Sequence, residues 1–235
     1  MRSVIIPARG GSQRIKGKNI RAFAGLPIIS WPIKASIETG LFDDIFVSTD
    51  SEEIADTSEK LGAKVLWRPE DLSDNHTGTT KVIQNALEGP LKHLALEHWI
   101  YKIYPTSPIS PELFEDFVNF AEKSPTQFSV SLGKFRNNIE RAMSLSNQGN
   151  LQLLYPEHHN SRSQDLGEYF YDAGKIYGAT VASWKVTTSP LLEASQGFIL
   201  PTWASIDIDT EDDWMLAEVL FTQLRNSYRS ITKPD

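Results

Sequence analysis

The sequence predicts an α/β protein: a Rossmann-like, mostly parallel sheet with helices on both faces, in one domain spanning residues 1–235. Three observations carry that expectation. Short apolar, β-branched runs alternate with helical stretches, the rhythm of a parallel sheet wrapped by crossover helices. The first run, SVIIP at residues 3–7, leads straight into a glycine-rich turn. No repeat, low-complexity tract or linker divides the chain.

Residues 3–7 read as a buried strand because they are short, apolar and followed by glycines. Residues 27–38 read as a helix, with Pro27 in its first turn and Gly40 just past its end. DIFVS at 44–48 is the next strand. Residues 51–61 form a helix with Asp50 as N-cap, Glu53 at the capping-box position and Gly62 as its stop. KVLW at 64–67 is a third strand and residues 79–88 a third helix. WIYKIY at 99–104 is a strand ending in the loop PTSPISP. A helix over 111–123 and a strand over 128–132 follow. From about 133 to 175 the sequence is polar and irregular, which reads as an arm inserted into the domain: a lid, a dimerisation element, or both. Regularity returns with strands over 176–181 and 203–208 and an amphipathic helix over 210–226.

Composition narrows the function. Apolar residues are 40% and charged residues 23%, enough for an ordinary core. There is no cysteine, so disulfides and thiolate metal sites are excluded and a reducing compartment, the cytoplasm, is expected. The apolar run in MRSVIIPARGG is too short for a signal peptide, and no segment approaches a membrane span. A net charge of -7 disfavours nucleic acid as a partner.

Against that acidic background the loop Ala8 to Asn19 (ARGGSQRIKGKN) stands out. Gly10 and Gly11 let the chain turn and let a ligand approach backbone amides. Arg9, Arg14, Lys16 and Lys18 crowd four cations together, which suits a triphosphate, although a solvated basic turn has the same spelling. It is not a Walker A loop, which needs Gly at Ser12 and Ser or Thr at Asn19. Nor is it a dinucleotide fingerprint, whose glycines are spaced rather than adjacent.

Further along, SIDIDTEDD places Asp207 and Asp209 two apart on the expected strand, so both carboxylates point to one side. Paired carboxylates beside a triphosphate suit Mg²⁺. Capping of the last helix by Asp209 or Thr210 explains the same residues, and both readings can hold at once. Asp50, at the end of a strand, has its N-cap role and a functional one open to it. Thr106 and Ser107 in the YPTSP loop open on the same edge as the glycine loop, where they meet a ligand or simply make a turn. The segment YPEHHNSRSQDLGEYFYDAGKIYG, residues 155–178, offers Arg162 for a carboxylate and Gln164 and Asp172 for polar substituents; a tyrosine-rich dimer contact is the competing reading. The five histidines have no zinc-ligand spacing.

IPARGGSQRIKGKNI resembles the signature of the cytidylyltransferases that make CMP-activated sialic acids. The resemblance runs from Val4 to about Val219, and RSQDL with YxDAGxxY is closest to the pseudaminic acid branch. That branch usually has His at Tyr171 and Gln-Phe at Lys175-Ile176, and the family usually has Lys at Gln13 and Gln at Tyr104. The resemblance implies CMP transfer from CTP to the anomeric hydroxyl of an acidic nine-carbon sugar, with pyrophosphate released. It implies Arg9 and Lys18 on the triphosphate, with Arg14 or Lys16 making up for Gln13, and Ala8, Gly10, Gly11, Ser12 and Asn19 around it. Asn75 to Thr80, with Thr77, Thr79 and Thr80, resembles the cytosine and ribose contacts, and capping of the helix at 79–88 by Thr79 is the competing reading. Asp207 and Asp209 carry over as magnesium ligands, and Arg162, Gln164, Asp172, Thr106 and Ser107 as sugar contacts. A homodimer is implied. Legionaminic or N-acetylneuraminic acid is the alternative acceptor. A metal-dependent glycosyltransferase and a non-catalytic nucleotide sensor are the readings outside this activity.

Overall fold

The computed structural model describes residues 1–12, 14–74, 77–123, 126–192 and 194–228. Gln13, Asn75 and His76, which figured in the sequence reading, lie outside the described residues.

The chain opens with β1 (Arg2–Pro7), then a two-stranded hairpin of β2 (Ala22–Phe23) and β3 (Leu26–Pro27), and helix α1 (Ser30–Glu38). Next come β4 (Asp44–Thr49), α2 (Glu52–Lys60), β5 (Lys64–Trp67), α3 (Thr79–Glu88), β6 (Trp99–Ile103), α4 (Pro111–Glu122) and β7 (Phe128–Lys134). The irregular stretch holds a small hairpin, β8 (Met143–Leu145) and β9 (Leu151–Leu153). The remainder is β10 (Phe170–Thr180), α5 (Val181–Val186), β11 (Ser195–Ile199), α6 (Thr202–Ser205) and α7 (Glu211–Leu224).

Seven strands form the central sheet in the order β11-β7-β10-β6-β1-β4-β5. Every neighbour pair is parallel except those of β10, which runs antiparallel to β6 and β7. The mostly parallel Rossmann-like sheet predicted from the apolar rhythm is therefore present. Its two faces are sorted by β1: Val4 and Ile6 enter one core with Ile33, Phe114 and Phe221, while Ile5 enters the other with Ile83, Leu87 and Trp184. Alternate side chains of a strand point to opposite faces, so helices must cover both. Among the described residues no helix is long and apolar enough to cross a membrane.

Four local expectations are corrected. Pro27 is not in the first turn of α1; it pairs with Ala22 in the β2–β3 hairpin. The reason is the tight turn at Ala24 and Gly25, whose φ values of 48° and 85° suit a two-residue hairpin connection. Residues 203–208 do not form a strand: Trp203 and Ala204 turn through α6 and bury in the core instead of joining the sheet. The N-cap of α2 is Ser51, whose hydroxyl accepts from the Ile54 N–H, rather than Asp50. Thr79 does not cap α3 either; Gly78 takes that position.

Candidate active site

The order of the strands creates the site. The chain leaves β1 to build β4 and β5 on one side, then crosses to build β6 on the other. The strand ends on either side of β1 thus splay apart at a topological switch point. A cleft of about 600 Å³ opens there, lined by Arg9 and Lys18 after β1, Arg68 after β5, Tyr104 and Thr106 after β6, and Asp172 on β10.

The glycine loop is fixed from both ends. The Ala8 N–H donates to the Ser48 carbonyl at 2.8 Å, continuing the β1–β4 pairing by one residue. The Gly10 N–H then donates to Asp50 Oδ1 at 2.8 Å. A Cβ on Gly10 would lie 3.0 Å from the Cβ of Ser51, so a larger residue there would push the loop away from the start of α2. Asn19, buried, donates its amide to the Arg9 carbonyl at 2.9 Å. Arg9 reaches across the mouth to the Asp74 carbonyl at 2.9 Å.

The opposite wall comes from residues 206–209, an extended run between α6 and α7. Ile208 is buried while Asp207 is exposed and Asp209 half-buried, so the two carboxylates do share a side. Asp209 forms an ion pair with Arg14 and lies 3.6 Å from the Lys18 ammonium, which also donates to the Ile208 carbonyl. Capping of α7 falls to Thr210 and Asp213, which form a reciprocal capping box. Asp207 and Asp209 are thereby left to the cleft. Two carboxylates on a cleft also lined by Arg9, Arg14 and Lys18 are the donor set Mg²⁺ accepts when phosphates and waters complete its shell. Among the described residues no group of three or more histidine or acidic side chains could hold a metal alone.

The floor is made by β6 and β10. A bulge between Asp172 and Tyr177, with Gly174 at φ 61°, turns Asp172 into the cleft. Its carboxylate accepts from the Tyr177 hydroxyl at 2.6 Å and from the Gly174 N–H at 3.0 Å. Two lysines are sealed under this floor. Lys102 donates to Thr79 Oγ1 at 3.1 Å, and Lys175 donates to the Thr106 carbonyl at 3.0 Å. Burial lowers the Lys102 ammonium to about 7 and that of Lys175 to about 8. Burial raises the phenols of Tyr104 and Tyr177, with Asp172 adding to the shift at Tyr177.

A family model described as Cytidylyltransferase matches residues 3–171. The chain belongs to the cytidylyltransferase family. It is 34% identical to the pseudaminic acid cytidylyltransferase of Campylobacter jejuni subsp. jejuni serotype O:2 over 223 residues, 92% of this chain and 94% of the relative. It is also 34% identical to the CMP-N,N'-diacetyllegionaminic acid synthase of Legionella pneumophila over 229 residues, again 92% and 94% of the two chains. Among solved structures, a CMP:2-keto-3-deoxy-manno-octonic acid synthetase complexed with CTP superposes with a TM-score of 0.67, covering 94% of this chain and 98% of that one. At 14% identity that likeness shows the shared fold. As a cytidylyltransferase, the protein is a nucleotidyl-transferring enzyme.

The cytidylyltransferase cleft gathers most of the residues singled out in the sequence. Arg9, Ser12, Arg14, Lys18 and Asn19 line it from the glycine loop, Thr77 and Thr79 from the start of α3, and Thr106, Asp172, Asp207 and Asp209 from the far side. The rest stand outside its lining. Ala8 is buried behind the loop, Thr80 is half-buried on α3, and Ser107 is buried with no hydrogen-bond partner for its hydroxyl. Gly10 and Gly11 shape the loop without facing the cleft, and the Gly10 amide is committed to Asp50. Lys16 is exposed elsewhere on the loop. Arg162 pairs with Asp165 at 2.8 Å on the exposed arm. Gln164 lines a separate depression of about 290 Å³ beside Phe135 and Tyr169.

Three contributors escaped the sequence reading. Arg68 lines the cleft, donates to the Ser48 carbonyl at 3.0 Å, and has its guanidinium lowered mainly by burial. Lys102 and Lys175 lie beneath the floor. The signal for Lys102 was present: a single cation inside the otherwise apolar strand WIYKIY.

Proposed function

We propose that this enzyme transfers CMP from CTP to the anomeric hydroxyl of pseudaminic acid, giving CMP-pseudaminic acid and pyrophosphate. The observation that carries the reading is the convergence of Arg9, Lys18, Asp207, Asp209 and Asp172 on one cleft at the switch point of the sheet. The RSQDL and YxDAGxxY spelling and the 34% identical Campylobacter relative support the choice of sugar.

The anomeric oxygen attacks the α-phosphorus while the bond to the β,γ-pyrophosphate breaks. Arg9 and Lys18 neutralise charge growing on the phosphates, an electrostatic contribution made in a preformed site. Asp209 keeps Arg14 and Lys18 aimed inward until the nucleotide arrives. Asp207 and Asp209 would hold Mg²⁺, which supplies further neutralisation of the triphosphate. Asp172 and Thr106 orient the sugar. Arg162 and Gln164 meet its carboxylate and substituents only through a movement or pairing of the arm, because neither lines the cleft. Pairing is favoured by the apolar surface the arm exposes, Leu145 at 68% and Leu151 at 69%. We therefore propose a homodimer joined through its arms, and the use of CTP, made and held in the cytoplasm, is the reason to assign the enzyme to that compartment.

The Legionella relative favours N,N'-diacetyllegionaminic acid as the second reading of the acceptor. Mass spectrometry of the product formed from CTP, Mg²⁺ and each sugar tests both. A CMP-sugar formed faster from pseudaminic acid than from its stereoisomer of equal mass, N,N'-diacetyllegionaminic acid, supports the proposal; consumption of a preformed nucleotide sugar without use of CTP replaces it with a glycosyltransferase.

A further inference from the structure

We propose that Lys102, sealed beneath the cleft, is a positioning residue that fixes the Thr79 and Tyr104 hydroxyl pair as a hydrogen-bond donor toward the nucleoside of CTP. The inference rests on the reading of the cleft as the CTP site.

Lys102 sits on β6, opposite Ile5 of β1 and Tyr177 of β10. It is 3% exposed and does not line the cleft. Its ammonium donates to Thr79 Oγ1 at 3.1 Å and lies 3.6 Å from the ring centre of Tyr177 and 4.3 Å from that of Tyr104. The two aromatic faces accept the charge by cation–π attraction, which strengthens when water is excluded. An ammonium has three N–H donors and no lone pair. Two directions are taken by the rings and the third by Thr79.

The next link is the 3.1 Å contact between Thr79 Oγ1 and the Tyr104 hydroxyl, both on the cleft surface. These two hydroxyls own two protons, and their mutual bond uses one. While Lys102 is charged it cannot accept a proton from Thr79, so the second is left for the cleft. If Tyr104 donates to Thr79, the spare proton is on Thr79; if Thr79 donates to Tyr104, it is on Tyr104. Either way the floor offers a donor to an acceptor-rich ligand, such as the oxygens and ring nitrogen of cytidine. A neutral amine has a lone pair. Thr79 can then donate downward to Lys102, Tyr104 can donate to Thr79, and no proton remains for the ligand.

The chain of donors therefore depends on the charge of Lys102. Burial lowers that ammonium to about 7, so its charge changes within the working range. The groups facing it are few. Tyr104 on its own strand and Tyr177 on β10 have phenols raised by burial, and Asp172 on β10 favours the charged lysine. The neighbour on α3 is the neutral Thr79 and that on β1 the apolar Ile5.

The test is CTP affinity measured by calorimetry between pH 6 and 8.5 for the wild-type protein and Lys102→Met. Titration of the triphosphate itself cancels in the ratio of the two dissociation constants at each pH. Methionine, a poor acceptor, leaves the spare proton with the hydroxyl pair as the charged lysine does, so the ratio of wild-type to variant dissociation constant should be near one at pH 6 and rise to about tenfold, one well-made hydrogen bond, at pH 8.5. A ratio that stays flat across pH, as loss of packing alone gives, overturns the proposal, as does a ratio that falls as the pH rises. Should Lys102→Met not fold, Thr79→Val breaks the chain one link later and is held to the same pH-dependent ratio. Failure of the wild-type protein to bind CTP overturns the site reading and this inference together; binding with a flat ratio overturns the inference alone.

Discussion

The backbone N–H of Gly10 donates to the Asp50 carboxylate at 2.8 Å, and this bond ties the glycine loop to the end of β4. Asp50 therefore serves the loop, while Ser51 caps α2. Removing the carboxylate in Asp50→Ala frees the loop that presents Arg9. Because the bond is exposed to solvent, the stability cost should be only about 1 kcal/mol. The Michaelis constant for CTP should rise roughly tenfold, a shift of about 1.4 kcal/mol. Thermal unfolding and steady-state kinetics check the two numbers separately.

Asp209 is the acid that faces both Arg14 and Lys18. Asp209→Ala should lower turnover about 100-fold, the scale of losing one preorganised electrostatic partner of the transition state. CTP binding measured without divalent metal should not weaken, because the variant leaves two cations uncompensated beside the triphosphate. Weakened binding together with unchanged turnover would contradict the role given to this residue. Circular dichroism should show the fold retained.

Lys175 gives a stability signature in alkali. Its folded ammonium is lowered from 10.5 to about 8, chiefly by burial. Between those values the unfolded chain holds the proton and the folded chain has released it, so stability gains with rising pH. Lys175→Met lacks that gain. The wild-type melting temperature should therefore rise relative to the variant's between pH 8 and 10, and a constant difference would show that Lys175 titrates normally.

The arm hairpin of β8 and β9 exposes Met143, Leu145, Leu151 and, just beyond, Leu154. If two arms pair there, Leu145→Glu with Leu151→Glu should convert a dimer to a monomer in light scattering while leaving the circular dichroism of the domain unchanged. A wild-type monomer at micromolar concentration would remove the arm from the assembly.

Much of this was readable from the residues. The sheet strands β1, β4, β5, β6 and β7 announced themselves as short apolar runs, since strands covered on both faces carry no polar alternation to confuse. The carboxylates of Asp207 and Asp209 were expected on one side from a strand that does not exist; an extended segment has the same period of two, so the chemistry survived the wrong element. Other features were hidden because their cause is tertiary. The β11 strand, SQGFI, is half exposed at the edge of the sheet and too weakly apolar to stand out. Arg68 became a cleft residue only when β5 stacked beside β4. Lys102 and Lys175 are cations whose burial depends on the floor above them, and the first half of β10 was masked by the polar spelling of the arm.

Cytidylyl transfer to pseudaminic acid is tested most directly by pyrophosphate release from CTP and Mg²⁺ in the presence of pseudaminic, N,N'-diacetyllegionaminic and N-acetylneuraminic acids in turn. Release should require a sugar acid and be fastest, by at least about tenfold in kcat/KM, with pseudaminic acid. Faster release with either of the other two acids would contradict the assigned acceptor, and no release with any of the three would contradict cytidylyl transfer to such sugars.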